Sequence, residues 1–453
     1  MKSNEIAVIG AGITGLTAAY FLEKSGANVR VFDRSETPGG AIKTVTQNDW
    51  QYELGPNTLL IREKIVSDFI NRLGLSNEVV EANPEASSRF IVKNGQVLAM
   101  QGSPISFFKS PLISGKAKLR LFGEPFVSKS SNDKQTVAEF VEKRFGRELL
   151  EYAVNPFVAG IHAGSPEKLS VKHAFPVLHE LEQEYGSVMA GGLIRAFKSR
   201  KKKNEKTGRK LISFKNGLAV LPKIILEQLQ SGITKQKIKS IEKRDDNWWL
   251  KWEGGEAGPF RKVICTAPLH KWNESLLPVE PEELEIVQNV YHPPLSVLQL
   301  GFTKNQVTHP LDGFGFLVPE KENRNILGAF FSSTLFENRA PDNHHLLTVF
   351  VGGTRQPKLA DLQGEEMLKM VMADLSDLLG ITGEPVFKEH IFWPHAIPQY
   401  GVDHDRVLDV FDDIEMRNPG LHLAGNFRGG ISVPDCIKNG MKLAEQISDD
   451  LLR

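Results

Sequence analysis

Three glycines and one acid carry the first chemical signal in the chain. Gly10, Gly12 and Gly15 stand in the spacing G-x-G-x-x-G, with Ala11, Ile13 and Thr14 between them, and Asp33 follows about 20 residues on. Such glycines have separate mechanical tasks. The first allows a tight turn, the second lets a phosphate approach the backbone, and the third lets a helix lie against a strand. A helix starting there turns unpaired N–H groups and partial positive charge toward a pyrophosphate. The acid can take the ribose hydroxyls of an adenosine. Together these residue types point to a dinucleotide.

The elements needed to hold that site are legible around it. Ile6 to Ile9 reads as a buried parallel strand, and Leu16, Ala18, Ala19 and Leu22 follow at helical spacing. A second apolar run, Asn28 to Phe32, delivers Asp33. A glycine-rich turn that binds nothing needs none of this context. Gly39-Gly40 come shortly after, then Ala41, Lys43 and Thr44; a double glycine there lets a loop lie against a second part of the same cofactor. A nicotinamide-binding domain would continue straight into its next helix. This chain turns instead to Tyr52-Glu53-Leu54-Gly55-Pro56-Asn57-Thr58.

Composition sets the bounds. A chain of 453 residues should form two or three domains, and its apolar and charged fractions are those of a soluble globular protein. A formal net charge of zero argues against a general nucleic-acid binder. The two cysteines, Cys265 and Cys436, lack metal-ligand spacing and read as core thiols in a reducing, cytoplasmic setting. The chain enters a strand almost at once, so no signal peptide is expected, and no apolar run is long enough to span a bilayer. The twelve histidines are scattered, with no nucleophile elbow and no HExxH. No metal and no catalytic side chain is expected.

Further along, Lys64 to Leu73 reads as a helix with Ile65, Phe69, Ile70 and Leu73 on one face. Arg89 to Val92 and Val97-Leu98 flank Asn94-Gly95, a hairpin signal that begins at Arg89. Helical patterns appear at Val137 to Phe145 and Lys172 to Glu182, with a glycine-bearing run, 155 to 171, between them. Phe107, Phe108, Leu112 and Ile113, with Lys109, Lys116 and Lys118, suit either a surface dipping into a bilayer or a core-packed helix. The basic run from Arg195 to Lys210 reads as a solvated linker loop. A helix is expected from Pro222 to about Leu229, then three strands: Ile238 to Lys243, Trp248 to Trp252 and Phe260 to Thr266. Residues 284 to 400 are mainly β in pattern, with a helix at 365 to 379. Near the end, Leu421 to Gly425 reads as a strand, 426 to 432 as a glycine loop, and Pro434 to Leu452 as a helix.

The motifs above resemble the flavin amine oxidase superfamily, and ELGPNT, PFVAG (156 to 160), LDGFGFLVPEKE (311 to 322) and ILGAFFSSTLFENRAP (326 to 341) resemble its porphyrinogen oxidase branch. Asp33 stands where the superfamily usually has Glu, Ala41 where it often has Arg, and Ser165 where the branch usually has Asp. Asn426 replaces the acid of the amine oxidases. The resemblance implies an α/β fold with a Rossmann-like FAD-binding domain (1–75, 205–285 and 401–453). It adds a mixed-sheet substrate domain (76–100 and 286–400) and a helical, membrane-associating subdomain (101–204). FAD would be held by Gly10, Ala11, Gly12, Ile13, Thr14, Gly15, Asp33, Arg34, Gly40, Ala41, Gly55, Pro56, Asn57, Thr58, Ile238, Asn426, Ile431, Ser432 and Val433. The last helix would turn its N–H groups to the flavin C2 carbonyl. Gly160, Leu317, Phe330 and Phe350 would hold a porphyrinogen, with Arg89 on a propionate. The implied activity is oxygen-dependent, six-electron oxidation of protoporphyrinogen IX, releasing hydrogen peroxide. Coproporphyrinogen III is the alternative substrate. More distant alternatives are an amine or carotenoid oxidoreductase and a flavin-free prenyl-binding module. Peripheral contact with the inner face of the cell membrane and a homodimer stay open.

Overall fold

The computed structural model describes residues 5–100, 110–201 and 209–452. Five short strands make an all-parallel sheet in the order 233–235, 28–33, 5–9, 262–265, 421–423. Residues Ile6 to Ile9 and Val263 to Cys265 are buried. A parallel strand covered on both faces reads as a continuous apolar run, which is why the first of them is visible in the sequence. Ile6 and Val8 turn toward the helices Ile13–Lys24 and Val433–Leu452. Ala7 and Ile9 turn the other way, onto a three-stranded meander (240–244, 247–252, 255–260) and Phe411. Beginning and end of the chain therefore meet in one core.

The second large element is a seven-stranded sheet in the order 387–393, 295–303, 344–352, 326–331, 313–317, 88–93, 96–100. Its pairings are antiparallel except that of 313–317 with 88–93. One face carries Phe90, Phe316, Ala329, Phe331, Leu347 and Val349, packed under helix Gly364–Leu379. By strand alternation the opposite face carries Arg89, Leu317, Phe330 and Phe350. Between residues 115 and 201 the chain is helical. That region is pinned by Arg144, which reaches Glu124 at 2.5 Å and Glu182 at 2.7 Å with all three side chains buried. Ser187 and the amides of Val188 and Met189 also donate to Glu124 and hold its carboxyl below the usual range against the upward push of burial.

The α/β layout with a mixed sheet and a helical region is the one expected, but several local readings differ. The third antiparallel strand is Gly255–Phe260, not Phe260 to Thr266; Lys262–Cys265 belongs to the parallel sheet. Strand Ile233–Lys235 was invisible because three residues carry no periodicity, and Ile238 lies in the loop after it, ahead of Ser240–Arg244. In helix Lys64–Arg72, Val66 faces the core and Ile65 is 50% exposed. The helix expected over Lys172 to Glu182 is two, Val171–Ala174 and Pro176–Tyr185, because a proline cannot continue the first. Arg195 to Lys201 is not loop but the end of helix Val188–Lys201. Leu112 and Ile113 are buried beside Ile91 and Tyr152, so they take the core-packing role; Phe107, Phe108 and Lys109 lie outside the described residues.

Candidate active site

The first glycine loop is built as the spacing requires. Gly10 has φ +104°, and a β-carbon on it would stand 2.3 Å from Thr266 Oγ1. A β-carbon on Gly15 would stand 2.2 Å from the Gly10 carbonyl oxygen. One on Gly12 would meet nothing within 4 Å, so the cradle opens there. Asp33 ties the loop from the neighbouring strand: Oδ2 accepts from Ala11 N at 2.8 Å and Oδ1 from Ser35 N at 2.8 Å. Each oxygen keeps a second acceptor direction for a ribose. Arg34 beside it is exposed. Gly39 N donates to Ala11 O at 2.8 Å, which lays the Gly39-Gly40-Ala41 loop along Gly12. Gly55 comes down on that loop: its β-carbon would stand 2.2 Å from Ala41 O. Ile238 packs half-buried against the core cluster under the meander, two residues after Gln236, whose N donates to Asp33 O at 2.8 Å.

The C-terminal loop stands on the same side. Helix Ile13–Lys24 and helix Val433–Leu452 run in the same direction, with Thr14 beside Gly440 and Ser25 beside Ser448 (Oγ to Oγ 2.9 Å). Gly440 stands level with Thr14 to Ala18 and Ser448 with Ser25, so the N-terminus at Val433 projects past that of the first helix by about three or four residues, roughly 5–6 Å. Two positive helix ends thus face one edge of the parallel sheet in stagger. Ser432 caps the second helix, its hydroxyl accepting from Asp435 N at 3.2 Å. Ile431 and Asn426 are half-buried in the loop before it. That loop is held by Tyr400, whose Oη donates to Asn426 O at 2.7 Å and accepts from Gly430 N at 3.2 Å.

The five residues expected at the substrate form one wall. Arg89, Gly315 and Phe330 lie side by side across three strands, and Leu317, Gly328 and Phe350 across the next row. Phe330 meets Phe350 edge-on with centroids 5.2 Å apart, and the Arg89 guanidinium lies 5.6 Å from the Phe314 ring. Gly160 abuts Leu317, whose Cδ2 would stand 2.5 Å from a β-carbon there. Leu317, Phe330 and Phe350 are half-buried, unlike Phe316, Phe331 and Val349 on the core face. Arg89 is exposed and makes no ion pair among the described residues.

This wall faces the cofactor loops. Gln299 Nε2 donates to Glu53 O at 2.9 Å and Trp393 Nε1 to Leu54 O at 2.8 Å. Phe330 shares a cavity with Asn57 and Thr58. That cavity has about 20 Å³, room for a water and not for a ring system. The run 155 to 171 has a second side, where Asn155, Ser165 and Lys168 line a polar space of about 350 Å³ with Glu320 and Arg355.

Sequence reasoning missed Glu53, Arg339, Gln299 and Tyr400. Glu53 is buried and accepts from Thr44 Oγ1 at 2.7 Å and Leu218 N at 2.9 Å, with Arg339 Nη2 3.8 Å away. Burial outweighs these partners and pushes its carboxyl up to about 7. A lone acid between apolar residues of a strand was the available signal. Tyr400 had none, because its partners lie 26 and 30 residues further on. Cys265 and Cys436 are buried, with thiols pushed up to about 11 and about 12 by burial, as fits inert core residues. Among the described residues no cluster of metal ligands is present.

The family model for flavin containing amine oxidoreductase matches residues 13–448. Protoporphyrinogen oxidase 2, chloroplastic/mitochondrial, of Arabidopsis thaliana is 35% identical, over 99% of this chain and 94% of its own. Coproporphyrinogen III oxidase of Bacillus subtilis (strain 168) is 27% identical, over 96% of each. A solved structure of a candidate protoporphyrinogen oxidase from Exiguobacterium sp. 255-15 superposes with a TM-score of 0.83 at 25% identity, over 99% of this chain and 100% of that one. With its open glycine cradle, its staggered helix ends and these likenesses, the chain belongs to the flavin-containing amine oxidoreductase family, as an FAD-dependent oxidoreductase.

Proposed function

We propose that this oxidoreductase converts protoporphyrinogen IX to protoporphyrin IX. The observation that carries the reading is the accessible apolar wall of Leu317, Phe330 and Phe350, with Arg89 at one end, opposite the Asn57-Thr58 loop. A flat tetrapyrrole lies against the aromatic and leucine side chains, and the guanidinium forks onto a propionate. The Gly10–Gly15 loop, Asp33 and the Val433 helix end would hold FAD, which when bound would supply hydride acceptance for the six-electron oxidation and return of the electrons to molecular oxygen as hydrogen peroxide. The chain supplies orientation. Gly160 sets the depth of the slot through Leu317, and the amide-rich Val433 end would stabilise negative charge on a bound flavin. Each hydride is matched by one proton lost to solvent, two from ring nitrogens and the third from the remaining meso carbon, and no side-chain base is assigned.

In this reading residues 1–75, 205–285 and 401–453 hold FAD, 76–100 and 286–400 hold substrate, and 101–204 form the helical part. No helix among the described residues is long and apolar enough to cross a membrane. Peripheral contact would run through the helical part, where Leu119 and Phe126 are 70% and 90% exposed. Sedimentation with anionic vesicles tests that.

The deciding experiment is aerobic oxidation of both porphyrinogens, followed by porphyrin fluorescence, on purified yellow protein. Preference for protoporphyrinogen IX is expected; preference for the four-carboxylate coproporphyrinogen III would overturn the substrate assignment. Protein that carries no flavin and takes none up would overturn the whole reading.

A further inference from the structure

Tyr400 joins parts of the molecule that the sequence keeps far apart. Its backbone oxygen accepts from Ser170 N at 2.8 Å, at the end of the run that carries Gly160. Its hydroxyl donates to Asn426 O and accepts from Gly430 N, closing the loop in front of the C-terminal helix. The preceding residue repeats the pattern: Gln399 Nε2 donates to His162 O at 2.8 Å, and Gly164 is packed so tightly on Gln399 that a β-carbon would stand 2.3 Å from its Oε1. The phenol is fixed sideways as well. Its ring lies flat on His404, centroids 4.1 Å apart and planes 16° from parallel. His404 in turn meets His173, whose Nε2 lies 3.1 Å from Asp405. Tyr400 is 5% exposed, and burial drives its hydroxyl well above the ordinary phenol range, so it stays protonated and can always donate.

We infer that Tyr400 is a positioning residue for the flavin: a latch by which the substrate-side run 162–170 fixes the Asn426–Gly430 loop. This rests on the reading that the loop and the Val433 helix end face the flavin. A phenol is suited to the task because one oxygen serves a carbonyl and an amide at once. Phenylalanine keeps the ring and its stacking on His404 but frees both backbone groups. The loop amides then lose their alignment to the site where charge builds on reduction.

The test is Tyr400→Phe in the full chain, compared with parent and with His404→Phe, which keeps the hydroxyl. For Tyr400→Phe, the FAD dissociation constant of deflavinated protein should rise about tenfold, the equivalent of about 1.4 kcal/mol. Its flavin midpoint potential should fall and its visible flavin bands shift. His404→Phe should leave potential and bands unchanged. Unaltered affinity, potential and spectrum in Tyr400→Phe would overturn the inference, and so would an equal shift in His404→Phe, which would make the effect one of packing. Should Tyr400→Phe fail to fold, Gly430→Ala probes the loop directly; its φ of +121° strains any side chain, and parent-like potential there would also refute the latch. A parent that binds no FAD would fail the functional reading and leave a different signature from any of these.

Discussion

A β-carbon on Gly440 would stand 2.7 Å from the carbonyl oxygen of Thr14 and 2.9 Å from its neighbour Thr17 Cβ. The last helix and the first therefore touch backbone to backbone, and no side chain can come between them. Gly440→Val should push the helices apart, lower stability by about 1–3 kcal/mol and weaken FAD retention. Thermal unfolding and the flavin content of purified protein measure both.

Gly160 gives a different outcome from the same kind of change. The atom its β-carbon would strike is the far end of the Leu317 side chain, which can rotate away at little cost. Gly160→Ala should fold with a near-parental melting temperature. Its displaced Leu317 should narrow the slot and raise the KM for porphyrinogen several-fold, while FAD binding stays unchanged. Steady-state kinetics and FAD titration separate the two effects.

Arg89 is exposed, so removing it costs the fold little. Arg89→Ala should raise the KM for porphyrinogen by roughly ten- to a hundredfold, the worth of one charge-assisted carboxylate contact of about 1.5–3 kcal/mol. Arg89→Lys should recover only part of this, because an ammonium cannot fork onto a carboxylate. Equal KM values for Arg89→Ala and parent would remove the arginine from the site.

Glu53 makes a pH prediction. Its carboxyl holds a proton up to about 7 when folded and up to 4.5 in its ordinary state. Between those values the folded chain binds the extra proton, so this group's contribution to stability falls as pH rises through that window, by on the order of 3 kcal/mol at most. Glu53→Gln should lack the slope, and its melting temperature should gain on the parent between about pH 5 and about pH 8. Buried His162 and His404, both pushed down to about 4, act in the opposite sense. Their contribution is complete above 6.5 and is lost as pH falls toward 4, so both proteins should weaken in acid.

Arg144 sits between two buried carboxylates. Arg144→Ala would leave Glu124 and Glu182 without their counter-ion and should cost about 3–5 kcal/mol, read by denaturant unfolding.

Where physics is local, the chain could be read directly. The Gly10 to Asp33 unit announces itself because turn, helix start and buried strand each leave a mark within a few residues. Leu317, Phe330 and Phe350 were assigned through resemblance, and the structure adds what no pattern could: they stand on the accessible face while Phe316 and Phe331 stand on the core face. Residues 255 to 259 carry no strand signal because Gly-Glu-Ala-Gly-Pro has almost no strand propensity; pairing with Asn247–Trp252 overrides it. Leu112 and Ile113 fit a membrane surface as well as a core until Ile91 and Tyr152 are seen against them. Tyr400 and the Glu53–Arg339 pair depend on contacts between remote segments, which leave no periodic trace.

The offset between the two helix ends works as a gauge of length. A ligand must reach from one to the other to satisfy both, and the distance is set by rigid helix contact at Gly440, not by an adaptable side chain. Riboflavin 5′-phosphate carries both a ring system and a phosphate on the same ribityl chain, so it would engage both ends and lack only what lies beyond the phosphate. The gauge therefore measures the flavin half alone, and preference for the dinucleotide would fall to the adenosine side, where Asp33 keeps acceptor directions for a ribose.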